Sequence, residues 1–349
     1  MFTKLLLLPL SVLYGIITGI RNNLFNNGIL KSESFSTPVI CVGNITVGGT
    51  GKTPHTELII AGLKKHFRVA CLSRGYKRKT SGFILADKSS TAFQVGDEPM
   101  QIKNKFPDIT VACDGNRVRG IKKIMQLPQK PQVIILDDAF QHRYVKPDLN
   151  IVLIDYNRPI HKDCLLPAGR LRESAGSLKR ADYIVVTKCP VNLQPIERRI
   201  ISKTLKLKPY QKLFFSYMQY GKIKSITPDI APPVLTRQSG ILCLTGIARP
   251  EPYISYLKKF THDITELRYP DHHNFTAKDI ANIEAAFQKS GSTDKYILTT
   301  EKDAVRLSAC ELPKELKRRI FYIPIEPVFI NKEECLIKDL QEYVGKNQR

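Results

Sequence analysis

The stretch that decides the fold reads Val39-Ile40-Cys41-Val42-Gly43-Asn44-Ile45-Thr46-Val47-Gly48-Gly49-Thr50-Gly51-Lys52-Thr53-Pro54. Its apolar start predicts a buried strand, and the glycine-rich turn before Lys-Thr predicts a loop that opens a helix. Glycines let backbone N–H groups surround a phosphate chain, while Lys52 adds a positive charge and the Thr53 hydroxyl can ligate Mg²⁺. The usual loop has glycine where Thr46 stands, but Gly48 and Gly49 keep this one flexible. We therefore predict that residues 46–53 bind the phosphates of a nucleotide.

Short β-branched runs recur along the chain from Pro38 onward, and helical patterns lie between several of them. The candidate strands are Val39–Val42, Arg68–Leu72, Ile109–Ala112, Val133–Leu136, Ile151–Ile154, Tyr183–Thr187, Ile241–Thr245 and Tyr296–Thr299. This alternation predicts an α/β fold of the P-loop NTPase type, with a mostly parallel sheet flanked by helices. Thr276, followed three residues later by Asp279, predicts a capped helix over Ala277–Lys289.

The chain has 349 residues, of which 42% are hydrophobic and 25% charged, so it can bury a sizeable core in two domains. A proline-rich change of composition at residues 221–240 indicates a boundary. We predict an apolar helix within residues 1–30, a phosphate-loop domain over 31–220 and a smaller domain over 221–349. The eight cysteines form no C-x-x-C pair, which favours buried thiols in a reducing compartment over a zinc site.

The N-terminal run Leu5–Ile20 contains no charge, whereas the whole chain carries a formal net charge of +22. A helix of this length extends about 24 Å, short of the hydrocarbon core of a bilayer, about 30 Å. Apolar residues continue at helical spacing to Leu24, and Arg21 with several asparagines adds a polar side. The pattern predicts a helix in the membrane interface, beside anionic lipids. A helix packed on the protein's own core and a single span are the alternatives, and the lack of an A-x-A site disfavours a signal peptide.

A second motif begins with the apolar run Val133–Leu136 and ends in Asp137 and Asp138. A carboxylate at the end of a strand beside a phosphate loop typically holds Mg²⁺. Ala139-Phe140-Gln141-His142-Arg143 follows at once, and its Gln141, His142 and Arg143 are candidates to contact phosphate or substrate, although a surface turn is the alternative. Guanine-specific proteins carry [NT]-K-x-D after a later strand, and the corresponding stretch here, Thr187-Lys188-Cys189-Pro190, lacks the aspartate. We therefore expect ATP as the nucleotide.

Two places offer a base for phosphoryl transfer to a hydroxyl group. One is Asp97, in Val95-Gly96-Asp97-Glu98-Pro99, and the other is the cluster Asp271-His272-His273. A carboxylate beside an imidazole can form a dyad that accepts a proton. The residues alone leave this open, because Asp97 also suits a helix N-cap and the histidines also suit a surface turn or an incomplete metal site.

The chain resembles the tetraacyldisaccharide 4′-kinase family, and the matching pieces occur in order along most of its length. Besides the phosphate loop and the apolar N-terminus, they are Ser73-Arg74-Gly75-Tyr76, Val95-Gly96-Asp97-Glu98-Pro99, Asp114-Gly115-Asn116-Arg117, Leu136-Asp137-Asp138-Ala139-Phe140-Gln141-His142-Arg143, Leu166-Pro167-Ala168-Gly169-Arg170-Leu171-Arg172-Glu173, Tyr269-Pro270-Asp271-His272-His273 and Thr299-Thr300-Glu301-Lys302-Asp303-Ala304. Thr46, which departs from the general phosphate loop, is typical of this family.

The resemblance implies transfer of the ATP γ-phosphoryl group to the 4′-hydroxyl of tetraacyldisaccharide 1-phosphate in lipid A biosynthesis. It places the enzyme at the cytoplasmic face of the bacterial inner membrane, as a peripheral or monotopic protein on an anionic surface. It also implies a second, smaller α/β domain that closes over ATP. The implied site residues are Asp97 and His272 as the base dyad; Thr46, Val47, Gly48, Gly49, Thr50, Gly51, Lys52, Thr53, Arg117, Gln141 and His142 for ATP; Thr53, Asp137, Asp138 and Glu173 for Mg²⁺; and Arg74, Arg172 and Asp271 for the lipid.

Three other functions stay open at the level of the residues. One is a P-loop kinase for a different lipid or small-molecule hydroxyl. Another is a basic nucleic-acid-binding ATPase, which would explain the charge but not the apolar N-terminus. The third is a membrane-anchored regulatory ATPase, which would leave Asp97 and His272 without a role. We expect neither a nucleic acid nor an obligate protein as a partner.

Overall fold

The computed structural model describes residues 2–87, 89–227, 229–289, 291–292, 294–330 and 333–348. Its strands are β1 (Val39–Asn44), β2 (Val69–Ser73), β3 (Ile84–Ala86), β4 (Thr110–Cys113), β5 (Val133–Asp137), β6 (Leu149–Asp155), β7 (Tyr183–Thr187), β8 (Lys212–Tyr220), β9 (Lys224–Ser225), β10 (Gly240–Thr245), β11 (Ile264–Arg268), β12 (Lys295–Thr300), β13 (Ile320–Ile323) and β14 (Ile325–Phe329). Its α-helices are α1 (Phe2–Asn26), α2 (Lys52–Leu63), α3 (Ala92–Val95), α4 (Asp97–Lys105), α5 (Arg117–Met125), α6 (Pro195–Leu205), α7 (Glu251–Leu257), α8 (Ala277–Lys289), α9 (Glu301–Ser308), α10 (Lys314–Arg318) and α11 (Glu333–Lys346). Short 3₁₀ helices cover Ile160–Lys162 and Ala175–Arg180.

The first compact unit is built on a nine-stranded sheet in the order β14-β8-β7-β6-β1-β5-β2-β4-β3. Seven neighbouring strands from β8 to β4 run parallel, and β3 is antiparallel to β4. Strand β1 lies between β5 and β6, with Val42 in register with Asp137. The carboxyl ends of parallel strands meet at one edge of a sheet, so this register brings the glycine-rich loop and the aspartate pair together.

All eight predicted strands are present, within one or two residues of their predicted ends, and the mostly parallel α/β architecture is confirmed. The central strands β1, β2, β5 and β7 are buried along their whole length, as expected for a sheet covered on both faces. Six further strands were not predicted. The edge strands β3 and β14 lack a clear pattern, since β3 has three residues and β14 contains a proline, which edge strands tolerate.

The chain divides differently from the predicted 31–220 and 221–349. The second unit ends at Ile325, and the chain from Glu326 onward belongs to the first unit. There β14 extends the nine-stranded sheet beside β8, and α11 packs on α2. The close fit at Gly62 shows the packing, because a Cβ built there would lie 2.6 Å from Ile337 Cγ2. No turn or composition signal marks this return in the sequence.

The second unit has its own five-stranded sheet, in the order β11-β10-β12-β13-β9. The strands β10, β11, β12 and β13 are parallel, and β9 is antiparallel to β13. Alternate residues of β10 enter opposite faces, with Leu242 and Leu244 in one apolar cluster and Ile241 and Cys243 in another. The predicted helix over Ala277–Lys289 is α8, which covers the first of these clusters.

Helix α1 contacts the rest of the first unit through polar side chains along one side, and its apolar side is exposed. Ser11 Oγ donates to the Leu165 carbonyl at 3.0 Å, and the Tyr14 hydroxyl donates to the Arg172 carbonyl at 2.9 Å. By contrast, Leu6 and Ile17 are 70% and 58% exposed. The helix is therefore not packed by its apolar side into the core of the described chain. Its stretch Leu5–Asn26 is long and apolar enough to cross a membrane by length and composition alone.

Candidate active site

The phosphate loop leaves β1 and enters α2, as the sequence predicts. Gly48 and Gly51 have φ values of 100° and 85°, which favour glycine. At Gly51 a Cβ would also lie 2.4 Å from Met218 Cε. Within the loop, the Asn44 side-chain amide donates to Thr50 Oγ1 at 2.8 Å, and Thr187 Oγ1 donates to the Thr50 carbonyl at 2.8 Å. The loop conformation is thus fixed from β1 and β7.

A second segment, Leu165–Glu173, lies along the loop and is called the strap below. Val47 N donates to the Arg170 carbonyl, and Arg172 N donates to the Ile45 carbonyl, both at 2.8 Å. Thr46, the position that departs from the common motif, forms a β-bridge with Leu171. The strap is also the part of the chain on which α1 lies. It therefore connects the N-terminal helix with the nucleotide loop.

Two residues that the sequence analysis did not single out for the site support the loop from behind. His55 Nδ1 lies 2.7 Å from the Gly51 carbonyl, and Nε2 lies 2.9 Å from Ser216 Oγ. Burial lowers the pKa of His55 to about 4, so the ring is neutral near pH 7. Lys188 contacts the Gly49 carbonyl and pairs with the buried Asp155 at 3.0 Å. The contacts of His55 with Ser216 and of Lys188 with Gly49 and Asp155 join residues distant in sequence, so only the fold reveals them.

Asp138 is the acidic residue directed at the loop lysine. Its Oδ2 lies 3.6 Å from Lys52 Nζ, and Arg172 NH1 lies 3.1 Å from Oδ1. Burial would raise the pKa of Asp138, but the positive charges of Lys52 and Arg172 lower it below its usual value. The backbone of Asp138 is left-handed, with φ 48°, which turns it away from the line of the strand. The geometry gives an ionised carboxylate between two cations.

Asp137, the neighbouring residue, is 4% exposed and serves a different purpose. Thr56 Oγ1 donates to its Oδ1 at 3.1 Å, and Ser73 Oγ donates to its Oδ2 at 3.2 Å. Burial and the negative charges of Asp138 and Glu98 raise the pKa of Asp137 to about 6. Asp137 thus ties β5 to α2 and β2 directly behind the loop.

Gln141 and His142 lie on the segment that follows the aspartate pair. The Gln141 side chain donates to the Asn44 carbonyl at 2.8 Å, so it joins this segment to the end of β1. Burial and the positive charges of Arg117 and Arg21 lower the pKa of His142 to about 4. A neutral, partly buried ring next to cations can contact a ligand without adding charge.

The predicted arginines divide into buried and accessible groups. Arg117 is 3% exposed, and its NH1 donates to the carbonyls of Asp114 and Gly115, at 3.1 and 3.2 Å. Arg74 is exposed and close enough to Arg117 and His142 to affect their pKa values. Arg172 is directed at Asp138. In this conformation Arg74 and Arg172 are better placed than Arg117 to meet an anion from solution.

Glu173, a predicted metal ligand, contacts a basic residue and helix α1 in this structure. It is 2% exposed, and its Oε2 accepts from Arg180 and, at 3.3 Å, from the Asn22 amide of α1. The other carboxylate oxygen, Oε1, is buried and has no hydrogen-bond partner among the described residues, so the proposed cation ligand role of Glu173 stays a prediction. The structure therefore places Glu173 at the junction of α1 with the strap.

Magnesium fits the remaining predicted ligands. Among the residues that the structure describes, no three His, Cys, Asp or Glu side chains are grouped as a metal cage. Mg²⁺ bound with a nucleotide needs no such cage, since one or two carboxylates, waters and the phosphates complete its shell. The ionised, 30% exposed side chain of Asp138 beside the phosphate loop provides an oxygen ligand of this kind, and the half-buried Thr53 at the start of α2 offers a hydroxyl.

Asp97 begins α4 in the first unit, immediately after Gly96. The N-cap is Gly96, with φ 98°, so Asp97 is the first helical residue and not the cap. A Cβ at Gly96 would lie 3.0 Å from the Gly75 Cα, which shows how closely two backbone turns pass here. The V-G-D-E-P motif therefore encodes a tight backbone crossing that presents a half-buried aspartate.

In the second unit, His272 and His273 follow β11 and diverge. His272 has φ 61°, and its ring lies between Arg306 NH2, 3.2 Å from Nδ1, and Lys302 Nζ, 3.0 Å from Nε2. Asp271 Oδ1 is 3.9 Å from Nε2. His273 instead stacks on Tyr269 and contacts Asp279 at 3.0 Å. The two rings thus have separate partners and do not form a joint metal site.

A glycine-rich loop between a strand and a helix, beside a parallel strand that ends in two aspartates, defines the class of P-loop nucleotide-binding proteins. The family model described as "LpxK: Tetraacyldisaccharide-1-P 4′-kinase" matches residues 3–344. The chain belongs to this family, and it is an enzyme, a kinase. The resemblance seen in the motifs is confirmed.

Curated relatives and a solved structure agree with this assignment. The chain is 49% identical to the tetraacyldisaccharide 4′-kinase of Parabacteroides distasonis, over 99% of this chain and 95% of that protein. It is 48% identical to the enzyme of the same name from Bacteroides fragilis strain YCH46, over 98% and 94%. The crystal structure of LpxK from Aquifex aeolicus in complex with ATP has a TM-score of 0.78 and 27% identity, covering 99% of this chain and 100% of that one.

Proposed function

We propose that this kinase transfers the γ-phosphoryl group of Mg-ATP to the 4′-hydroxyl of tetraacyldisaccharide 1-phosphate, at the cytoplasmic face of the inner membrane. The observation that carries the proposal is the Lys52–Asp138–Arg172 cluster at the phosphate loop. It places two cations and one ionised carboxylate at the edge of the sheet where nucleotide phosphates bind. Phosphoryl transfer depends on such positioning and charge neutralisation more than on covalent chemistry.

Each residue of the cluster has a role in the reaction. The loop N–H groups and Lys52 would hold the β- and γ-phosphates, and Arg172 would neutralise charge on the transferring group. Asp138 and Thr53 would hold Mg²⁺, which supplies electrostatic stabilisation of the phosphates. Asp137 would keep β5, α2 and β2 in place behind them. Gln141, His142 and Arg74 would contact the nucleotide or the lipid at the rim.

Asp97 and His272 are the proposed base dyad. The Asp97 carboxylate would accept the proton of the 4′-hydroxyl while the hydroxyl oxygen forms a bond to the γ-phosphorus of ATP. The bond from that phosphorus to the bridging oxygen breaks, and ADP leaves. His272 would stabilise the dyad and share the proton, and Asp271 would support the site.

The exposed apolar side of α1 supports attachment to the membrane that contains the lipid. Leu13, Ile17 and Ile20 are each more than half exposed, although they belong to a helix whose polar side is docked. Burying such a side in the interface is favourable, and basic residues add attraction to anionic lipids. The lipid substrate and the enzyme would then occupy the same surface.

The first test uses purified full-length protein in detergent with γ-labelled ATP, Mg²⁺ and tetraacyldisaccharide 1-phosphate. We expect label on the lipid, and its loss in Lys52→Ala. The matched control is Lys64→Ala, because Lys64 lies at the other end of α2 and forms its ion pair with the exposed Asp108. Absence of labelled lipid, together with ATP hydrolysis stimulated by DNA or RNA, would refute the proposal and favour a nucleic-acid-dependent ATPase.

The dyad has its own test. Asp97→Ala and His272→Ala should each lower phosphoryl transfer by about 10²–10⁴-fold, while ATP binding persists. Asp108→Ala, on the surface of the same unit as Asp97, serves as control. Unchanged turnover in both dyad variants would remove the dyad from the mechanism.

Membrane attachment is tested by replacing exposed apolar residues of α1. The triple variant Leu13→Gln, Ile17→Gln and Ile20→Gln should lose sedimentation with anionic vesicles. The control triple Val191→Gln, Ile196→Gln and Ile200→Gln alters equally exposed apolar residues elsewhere on the first unit. Full sedimentation of the α1 variant would contradict the proposed role of this helix.

A further inference from the structure

A buried ion pair lies next to His272 and has no role so far. The side chains of Asp303 and Arg306, one turn apart on α9, are 0% and 3% exposed, with Arg306 NH1 2.8 Å from Asp303 Oδ1. Desolvating two charges is costly, and a buried pair is often no more stabilising than apolar residues of similar size. Such a pair therefore calls for an explanation other than stability.

The pair is anchored to the carboxyl ends of two strands. Asp303 Oδ2 accepts from Gly246 N, after β10, at 2.9 Å and from Thr300 Oγ1, at the end of β12, at 2.7 Å. Arg306 NH1 donates to the Gly246 carbonyl at 3.1 Å. A Cβ at residue 246 would lie 2.9 Å from Asp303 Oδ1, so glycine allows this approach. Both charged groups are thus fixed by backbone.

The remaining arm of the guanidinium is directed at His272. Arg306 NH2 lies 3.2 Å from Nδ1, and a guanidinium can only donate hydrogen bonds. Nδ1 must therefore be the acceptor, and the neutral ring carries its hydrogen on Nε2. His272 adopts a left-handed backbone, φ 61°, that a residue with a Cβ seldom takes without support.

The other ring nitrogen faces Lys302, whose Nζ is 3.0 Å from Nε2. An ammonium group also only donates, so the two cations demand opposite tautomers. Arg306 is buried and held at two further points, whereas Lys302 is half-buried on a flexible stem. Arg306, the rigid partner, therefore determines the tautomer. An acidic oxygen at Nε2 would accept hydrogen bonds from both the ring N–H and Lys302.

We infer that Arg306, held by Asp303, is a positioning residue that fixes His272 in the Nε2–H tautomer and presents this N–H to an acidic oxygen. The inference rests on the proposed function, since that oxygen would belong to the Asp97 carboxylate of the dyad. It assigns a purpose to the Thr299–Ala304 motif, in which Asp303 pairs with the arginine and Thr300 holds Asp303.

The test is ¹⁵N NMR of the full-length enzyme in detergent, labelled at histidine, with the His272 signals assigned by their loss in His272→Gln. We expect an unprotonated Nδ1 and a protonated Nε2 in the wild type. Arg306→Met should give a mixture of tautomers and lower kcat at least tenfold with little change in KM for ATP. Arg306→Lys should recover part of both, and Arg319→Met, an exposed arginine of the same unit, should change neither.

Two results would overturn the inference. One is a wild-type His272 that carries its hydrogen on Nδ1, which needs no variant to fold. The other is an unchanged tautomer in Arg306→Met. If instead the tautomer follows Arg306 while His272→Gln retains full turnover, the positioning stands and the dyad fails. The two proposals are thereby separated.

Discussion

Each unit has two identical ionisable residues in succession near the end of a parallel strand: Asp137–Asp138, where β5 ends, and His272–His273, four and five residues beyond the end of β11. In each pair one residue has a left-handed backbone, φ 48° at Asp138 and 61° at His272. That turn sends neighbouring side chains to different partners. Asp138 meets Lys52 and Arg172, whereas Asp137 is bound by hydroxyls of the scaffold. His272 meets Lys302 and Arg306, whereas His273 is bound to Asp279.

The two pairs differ in how the reactive member is held. Asp138 is held by ion pairs with Lys52 and Arg172 and keeps its charge, because these cations lower its pKa. His272 is fixed by hydrogen-bond direction, because a buried guanidinium selects which ring nitrogen can accept. A doubled residue in a motif therefore does not reveal which copy does the chemistry. The sign of the backbone φ angle and the contact partners indicate which copy does, and substitutions can test each assignment.

The largest expected effect separates the two aspartates. Asp138→Asn removes the negative charge proposed to hold Mg²⁺ and to pair with Arg172, and we expect turnover to fall about 10³-fold. Steady-state phosphorylation of the lipid, measured beside Asp108→Asn, provides the comparison. A loss of less than tenfold would show that Asp138 is not the proposed metal ligand.

The next effect concerns stability at Asp137. Its folded pKa of about 6 exceeds the ordinary value of 3.8, so the folded chain binds more protons than the unfolded chain between these pH values. The contribution of Asp137 to the free energy of unfolding is thus fully present below pH 3.8. It falls as the pH rises to about 6 and does not change further above that pH. Asp137→Asn should remove that decline and gain up to about 3 kcal/mol near pH 7.

Denaturant unfolding of wild type and Asp137→Asn at pH values from 4 to 8 measures this difference. A gap between the two proteins that does not grow between pH 4 and 6 would contradict the buried, protonation-prone state of Asp137.

Substitutions of the two histidines should differ by about 10²-fold in their effect on turnover. His272→Asn is expected to lose activity, because the ring that meets Arg306 is gone. His273→Asn should retain it within a few-fold, because its partner Asp279 belongs to the start of α8. Equal losses in the two variants, measured in the same lipid assay, would show that the pair works as one unit.

The smallest effect is at the cap of α8. Thr276 Oγ1 accepts from Asp279 N, and Thr276 N donates to Asp279 Oδ2 at 2.8 Å. Hydrogen bonds to the Asp279 carboxylate from Thr276 Oγ1, at 2.7 Å, and from Thr276 N, and then from His273, lower the pKa of Asp279 to about 2. Thr276→Ala should cost about 1 kcal/mol of unfolding free energy and leave turnover unchanged. Ser308→Ala, a hydroxyl on α9 that bonds its own helix, is the control.

The local patterns of the sequence were sufficient for the eight strands, for α8 and for the motifs at the loop. They failed where structure depends on distant residues. The return of the chain through β14 to the first unit leaves no local signal, and its proline argues against a strand. Likewise Arg306 and His55 look unremarkable in sequence, because their roles arise from contacts with residues 34 and 161 positions away. Glu173 matched its motif, yet its contacts are with Arg180 and α1.

The docking of α1 on the strap has a geometric consequence for the lipid. A helix with its side chains is about 10 Å thick, and the strap that bonds to Ser11 and Tyr14 also bonds to the phosphate loop. For a bilayer resting on the apolar side of α1, the helix acts as a spacer of fixed thickness. It would set the height above the acyl chains at which a sugar hydroxyl meets ATP, and so select the position on the amphiphile that is phosphorylated.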